Sequence, residues 1–457
     1  MSRPAILPKL RAAMVVRPRS KRSRDPLAVG QTTIHIPPDG QENRDDHGRQ
    51  RADRQPEKGS AVPQLNPAIL SWARETAGLT REAAVRKLGL RDARGVAAVD
   101  RLAALESGEA VPTRAVLSKM AKQYRRPVLT FYLAEPPRRS DWGKDFRAPM
   151  ADRSREDDAL LNALVRNVQA RQGLLREAML DEDDDLVPLS FVASANIETP
   201  VTTVVASIRQ TLQMPLEDLR AARNSDEAFR LLRSRSEHAG VFVLVLGNLG
   251  SHHTDLGVEV FRGFALADGF APFVVVNPKD SAAARCFTLL HELAHLWVGE
   301  PGISGEDSVD PVEVFCNRVA SAFLLPDEEL AAFGHPAANT VDAWAEAVTV
   351  FARPLKVSSS MVAYRLHRQE VIDRETWMHL NGLFRRRWLD SQRRQRERRQ
   401  GSTGGFPTHK VLVRYSLGQG LVELAGRLVA SGFLTATKAG RVMGVNPRNA
   451  HAILEVS

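Results

Sequence analysis

Two histidines four positions apart, His291 and His295, with Glu292 directly after the first, stand in the stretch RCFTLLHELAHLWVGE (residues 285–300). On a helix such positions share a face, with Cβ atoms about 5–6 Å apart, so both imidazoles can close on one ion at about 2.0–2.1 Å per bond. Glu292 lies beside them, where it can accept a proton from a water held by that ion. The neighbours Phe287, Leu289, Leu290, Leu293, Leu296 and Trp297 are apolar. A histidine pair in such a helix needs hydrogen bonds or a metal, because an unpaired buried polar group costs about 1–3 kcal/mol. The pattern points to metal-assisted hydrolysis.

Catalytic zinc usually takes three protein ligands and a water, so two histidines leave the site short. Downstream donors are Glu300, Glu306, Asp307, Asp310, Glu313 and His335. Glu300 follows His295 by five positions, which turns it off the histidine face. Glu306, Asp307 and Asp310 stand in a Gly/Ser/Asp loop, where carboxylates are usually just solvated. Glu313 opens an apolar helix after a loop long enough for the chain to double back, although the helix dipole alone favours an acid there. Asn317, one turn later on the same face, is placed to accept a hydrogen bond from a ligating imidazole. Cys316 is a soft donor, but the role of a small buried apolar residue suits it better. Tyr364, Arg365, His367 and His335 are candidates for stabilising an oxyanion.

Three short Val/Phe-rich runs bounded by Gly and Pro precede the histidine helix: GVFVLVLG (240–247), RGFALAD (262–268) and APFVVVNP (271–278). They read as a small, mostly antiparallel sheet packed on that helix. A substrate chain would naturally join such a sheet as an added strand, with Phe273–Val276 as the expected edge. Helical patterning fills most of the remainder. Ile69, Leu70, Ala73, Ala77, Ala83, Ala84 and Leu88 recur at helical spacing, with Thr80 as an N-cap and a further helix starting at Pro112 and Thr113. A charged helix over 150–185 ends in DEDDD, and PVEVFCNRVASAFLLP follows the polar loop. The expected class is α+β, mainly helical, with helical modules at both ends.

Length allows two to four domains in 457 residues. The reading is a disordered basic segment at 1–60, a helical domain at 61–137, a helical connector at 138–195, the sheet and histidine helix within 196–380, a basic linker at 381–408 with GSTGG at 401–405, and a helical tail at 409–457. The net charge of +9 is concentrated in two places. Residues 1–60 hold 13 Lys/Arg against 7 Asp/Glu, and residues 385–400 hold 8 Arg against Asp390 and Glu397. These exceed the whole excess, so the basic character belongs to two segments, either solvated or in contact with nucleic acid. No apolar run reaches the roughly 18 residues of a membrane span, and the start is broken by Pro and charge, unlike a signal peptide. Only two cysteines, Cys286 and Cys316, argue against a disulfide framework and suit a reducing cytoplasm.

Between Arg262 and Pro326 the chain resembles the ImmA/IrrE family of metallo-endopeptidases. The likeness rests on RGFALADGFAPFVVVNPKDSAAARCFTLLHELAHL and EVFCNRVASAFLLP, with Cys316 where the family usually has Ala. The segment VSSSMVAYRLHRQEVI (357–372) is similar to a further stretch of the family. The resemblance implies a zincin-like, gluzincin-type domain with His291, His295 and Glu313 as ligands of Zn2+ (Mn2+ as the alternative) and Glu292 as general base. It also implies a protein substrate, a DNA-bound helix-turn-helix repressor or an antitoxin-like protein.

Residues 66–137 resemble the Xre/Cro-type helix-turn-helix domain that precedes many long members of that family. The candidate recognition helix VAAVDRLAALE offers mainly Arg101 to base edges, with Arg81, Lys87, Arg91 and Arg94 for phosphates. About five extra residues around 91–95 lengthen its turn, so protein docking or dimerisation competes with DNA binding. The tail GFLTATKAGRVMGVNPRNAHAIL also reads as helix, turn, helix, with a packing or dimer role as the alternative. Two functions follow: a zinc-dependent endopeptidase that cleaves a repressor-like partner, or a DNA-binding transcriptional regulator whose metal domain is a sensor or scaffold.

Overall fold

The N-terminal helical unit consists of α1 (Pro67–Thr76), α2 (Arg81–Leu88), α3 (Ala98–Ser107) and α4 (Arg114–Gln123), closed by a 3-10 turn at Val128–Tyr132. Thr80 caps α2 by accepting from the Ala83 N–H, and Thr113 caps α4 by accepting from Val116. Ile69, Leu70, Leu102, Met120 and Phe131 form its core. The computed structural model describes residues 65–137, 154–300, 303–304, 310–400 and 408–455. The expected disordered segment at 1–60, the loop acids Glu306 and Asp307, and the GSTGG linker lie outside the described residues.

A long helix, α5 (Arg155–Glu182), comes next, followed by α6 (Val201–Leu212), α7 (Leu216–Ala221) and α8 (Ser225–His238). Three strands follow, β1 (Phe242–Val245), β2 (Gly263–Leu266) and β3 (Phe273–Val276), then the histidine helix α9 (Ala282–Val298) and the two-residue strand β4 (Ile303–Ser304). The strand order is β1-β3-β2-β4. β1 runs parallel to β3, whereas β2 is antiparallel to both β3 and β4. The expectation of Phe273–Val276 as an edge is therefore overturned: β3 is hydrogen-bonded on both sides and has no free edge for a peptide. The outer edge of β1 is engaged as well, because Arg233 Nη2 donates to the Val243 carbonyl at 2.6 Å.

All residues of β1, β2 and β3 are buried, because the sheet is covered on both faces. Alternation along each strand sends Val243, Val245, Ala265, Val274 and Val276 to one face, in the core built by α6, α8, α9 and α10 (Pro311–Leu324). Phe242, Leu244, Phe264, Leu266, Phe273 and Val275 go to the other face. The second face is covered by α5 together with the tail, α15 (His409–Leu417), α16 (Gln419–Ala430), α17 (Ala436–Met443) and α18 (Pro447–Leu454). The connector and the tail thus share one core with the strands, which the separate segments of the sequence did not reveal. Between α10 and the tail stand α11 (Asp327–Leu330), α12 (Val341–Leu355), α13 (Ser359–Arg368) and α14 (Arg374–Gln400). Residues 381–400 of the expected linker are the C-terminal part of α14.

Candidate metal centre

Ser281 starts α9 by accepting from the Ala284 N–H at 3.2 Å, and Gly299, in the left-handed region, ends it. Between them the apolar positions lock the helix against the sheet and α10. Trp297 stacks on Phe191 with centroids 4.4 Å apart and donates to Ser207 Oγ at 3.0 Å. His291, Glu292 and His295 are consequently buried, at 1%, 0% and 1% exposure. Such burial makes any unmet polar contact costly, so the partners of these three groups decide what the site is.

The helix α10 brings the third group. Asp310 caps it by accepting from the Val312 N–H, Pro311 takes the first helical position, and Glu313 falls in the first turn, where the helix dipole favours an acid. Its carboxylate faces both imidazoles: Oε2 lies 3.1 Å from His291 Nε2, and Oε1 lies 3.2 Å from His295 Nε2. The two Nε2 atoms are themselves 3.1 Å apart. Burial by itself would raise the Glu313 pKa, but in the metal-free state with both imidazoles protonated their hydrogen bonds and positive charge outweigh it and draw the carboxyl down to about 2. Asn317, one turn further along α10, accepts from His291 Nδ1–H at 3.0 Å. With the proton on Nδ1, His291 turns the lone pair of Nε2 toward Glu313 and His295.

This donor set fits a cation. A tetrahedral ion with bonds of about 2.0 Å spaces its ligand atoms about 3.3 Å apart, close to the three separations found here. Without a cation the lone pair of His291 Nε2 would face a carboxylate oxygen inside a buried site, an arrangement that a positive charge at the centre relieves. Among the described residues, His291, His295 and Glu313 are the group that could hold a metal ion. Of the other expected donors, Glu300 and Asp310 are exposed and are not in that group. Cys316 is buried in the core and burial pushes its thiol well up, as it pushes Cys286 up to about 12, so both behave as small apolar residues.

Two residues that the sequence reading did not assign complete the surroundings. Gly263 of β2 runs so close to α9 that a Cβ there would stand 2.5 Å from Thr288 Cγ2, 2.8 Å from Glu292 Oε1 and 2.9 Å from the Val275 carbonyl oxygen. The absent side chain is what lets Glu292 fit beneath the sheet; the GF pair in RGFALAD was its only trace in the sequence. Asn277, after β3, is fully buried and donates to the carbonyls of Phe261 at 3.1 Å and of Leu256 and Gly257 at 3.3 Å. It ties down the loop that delivers Gly263. The oxyanion candidates have other partners. Arg365 pairs with Asp327, His367 stacks on Trp377, Tyr364 lies near the same Trp377, and His335 packs edge-on to Trp344.

The expected DNA contacts are scattered. Arg81 is tied to the buried Glu106 at 2.9 Å, within a network that also holds Arg74, and Lys87 pairs with Glu156 at 2.6 Å. Arg91 and Arg94 sit on a small hairpin closed by the Ala93–Val96 bridge, with Arg94 at φ 55°. The Arg101 guanidinium donates to the Arg91 carbonyl. The lengthened turn is this hairpin.

No helix among the described residues is long and apolar enough to cross a membrane. No curated protein and no solved structure matches the chain. Residues 249–367, which hold His291, Glu292, His295, Glu313 and Asn317, match the family model of the M78 peptidases, described as an IrrE N-terminal-like domain.

Proposed function

We propose that the chain is a metal-dependent endopeptidase whose centre is His291, His295 and Glu313, with Zn2+ as the resident ion and Mn2+ as the alternative. The observation that carries this reading is the buried His–His–Glu cluster with ligand atoms 3.1–3.2 Å apart, on a segment that matches a peptidase family. A divalent ion there supplies Lewis acidity, polarising the scissile carbonyl and acidifying water. Glu292 is the general base: it takes a proton from the attacking water and passes it to the leaving amine. Asn317 holds the His291 ring in the tautomer that presents Nε2. The close-packed Gly263 and Thr288 restrict Glu292 to one position, which favours proton transfer without reorganisation.

The proposed substrate is a protein, a helix-turn-helix repressor or an antitoxin-like partner. Co-incubation of the chain with candidate repressors, with and without chelator, tests it. Glu292→Gln should keep the metal and abolish cleavage, while His291→Ala should lose both. A purified chain free of Zn and Mn by elemental analysis, yet still cleaving, would overturn the assignment.

A further inference from the structure

The tail has a charge and a geometry that the peptidase reading leaves unused. Residues 408–455 carry six Lys/Arg against Glu423 and Glu455. Its last two helices are joined by a three-residue turn. α17 ends at Gly444, φ +65°, and α18 starts at Pro447 behind Asn446, whose side chain accepts from the Arg448 N–H at 3.0 Å. The two helices cross in near contact at Gly440, where a Cβ would come 2.9 Å from Pro447 Cα.

Both ends of this unit are fastened from behind. Arg171 of α5, 8% exposed, lies against Gly444 and donates to the Met443 carbonyl at 3.5 Å, at the negative end of α17. At the far end of α18, Lys410 Nζ donates to the Glu455 carbonyl at 3.1 Å and Arg414 Nη1 to that of Ile453 at 2.8 Å. Ala450 and Ile453 face the core. What remains outward is the N-terminal turn of α18, with Arg448 and Asn449 exposed, together with the exposed Lys438 and Arg441 of α17. Among the described residues, the side chains of Lys438, Arg441 and Arg448 form no ion pair. No large apolar side chain of α17 or α18 is exposed, whereas a protein-docking surface needs an apolar centre.

The N-terminal unit differs at each point. Nine residues, 89–97, separate α2 from α3, and α3 begins behind Ala97, with Asp92 accepting from its first N–H and Asp100 in its first turn. Arg81 and Lys87 are held by acids.

We propose that α17 and α18 form a duplex-DNA reader, with α18 entering the major groove N-terminus first. Arg448 and Asn449 then meet base edges, for which a guanidinium suits guanine O6 and N7 and a carboxamide suits adenine N6 and N7. Lys438 and Arg441 contact phosphates and set the register of the helix. The unit is independent of the metal centre, so it stands or falls apart from the peptidase assignment.

The test is selection of a randomised DNA duplex pool on the full chain, followed by titration of the enriched duplex and of a scrambled one. R448A/N449A should weaken the enriched duplex at least about tenfold and flatten the base preference. K438A/R441A should weaken both duplexes alike and reduce the slope of log affinity against log salt by about two. R91A/R94A should change either affinity by less than about twofold, since these side chains stand on the Ala93–Val96 hairpin of the N-terminal unit and not on the reader, and a larger loss would overturn the proposal. Thermal unfolding of each variant separates lost contacts from lost fold, and R448Q replaces the double variant if that one melts early. The proposal is overturned if no sequence is enriched, if RNA of equal charge binds as well as the duplex, or if a folded R448A/N449A or R448Q keeps the preference.

Discussion

Replacing Gly263 by Ala places one methyl group between β2 and α9, and the consequences can be worked from three distances. Against an ordinary contact of 3.4 Å, the new carbon is too close to Thr288 Cγ2 by 0.9 Å, to Glu292 Oε1 by 0.6 Å and to the Val275 carbonyl oxygen by 0.5 Å. The carbonyl belongs to the central strand, paired on both sides, and cannot retreat. Thr288 is β-branched and stiff at χ1. Relief must come from α9 lifting off the sheet or from Glu292 swinging away. Overpacking of this kind costs about 1–3 kcal/mol of stability. A displacement of the base near 1 Å costs about 100-fold in rate. The three atoms nearest the new carbon belong to Thr288, Glu292 and Val275, none of them among His291, His295 and Glu313, so metal content should stay near that of the wild type. The assay is hydrolysis of a fluorogenic peptide pool at saturating metal, read beside elemental analysis and a melting curve. A G263A chain that melts slightly lower and cleaves at the wild-type rate would refute the positioning of Glu292 by this glycine. So would a loss of cleavage that merely tracks a loss of metal.

Further outcomes follow from the same structure. Asn317→Ala removes the acceptor for His291 Nδ1 and should weaken metal binding by about 10–100-fold in a competition titration, with N317D recovering most of it. Glu313 has a folded pKa near 2, below its ordinary 4.5, so its contribution to the metal-free fold is complete above about pH 4.5 and is lost as the pH falls toward 2. The stability gap between wild type and E313Q, followed by thermal unfolding without metal, should narrow over that window. Phe264→Ala, on the sheet face covered by α5 and the tail, should cost about 3–5 kcal/mol in denaturant unfolding. Ending the chain at Gln400 should destabilise the sheet and α9 too, because Leu417, Leu421, Val442 and Ile453 share the core with that face.

Legibility differed by element. The histidine helix, the carboxylate that is the third donor and its neighbouring asparagine could be anticipated because each rests on local periodicity: four positions between the histidines on α9, four between Glu313 and Asn317 on α10. The three Val/Phe runs were recognisable as strands for the same reason. Their neighbours were not, since a run buried on both faces carries no mark of which strand lies beside it. Phe273–Val276 looked like an edge and is central. Arg81 and Lys87 looked available for phosphates, yet Glu106 and Glu156, 25 and 69 positions away, hold them.

From its sequence alone, then, this protein determined the chemistry of its centre: the residue types, their spacing along two helices, and the apolar surroundings that make unpaired histidines costly. Only the tertiary structure decided that Glu313 closes on both imidazoles and that Gly263 leaves room for Glu292. It alone showed the connector and tail to be the second cover of the sheet. Helical spacing is written within a few residues of chain, whereas strand order, ion-pair partners and close backbone approaches are set by contacts between segments far apart in sequence.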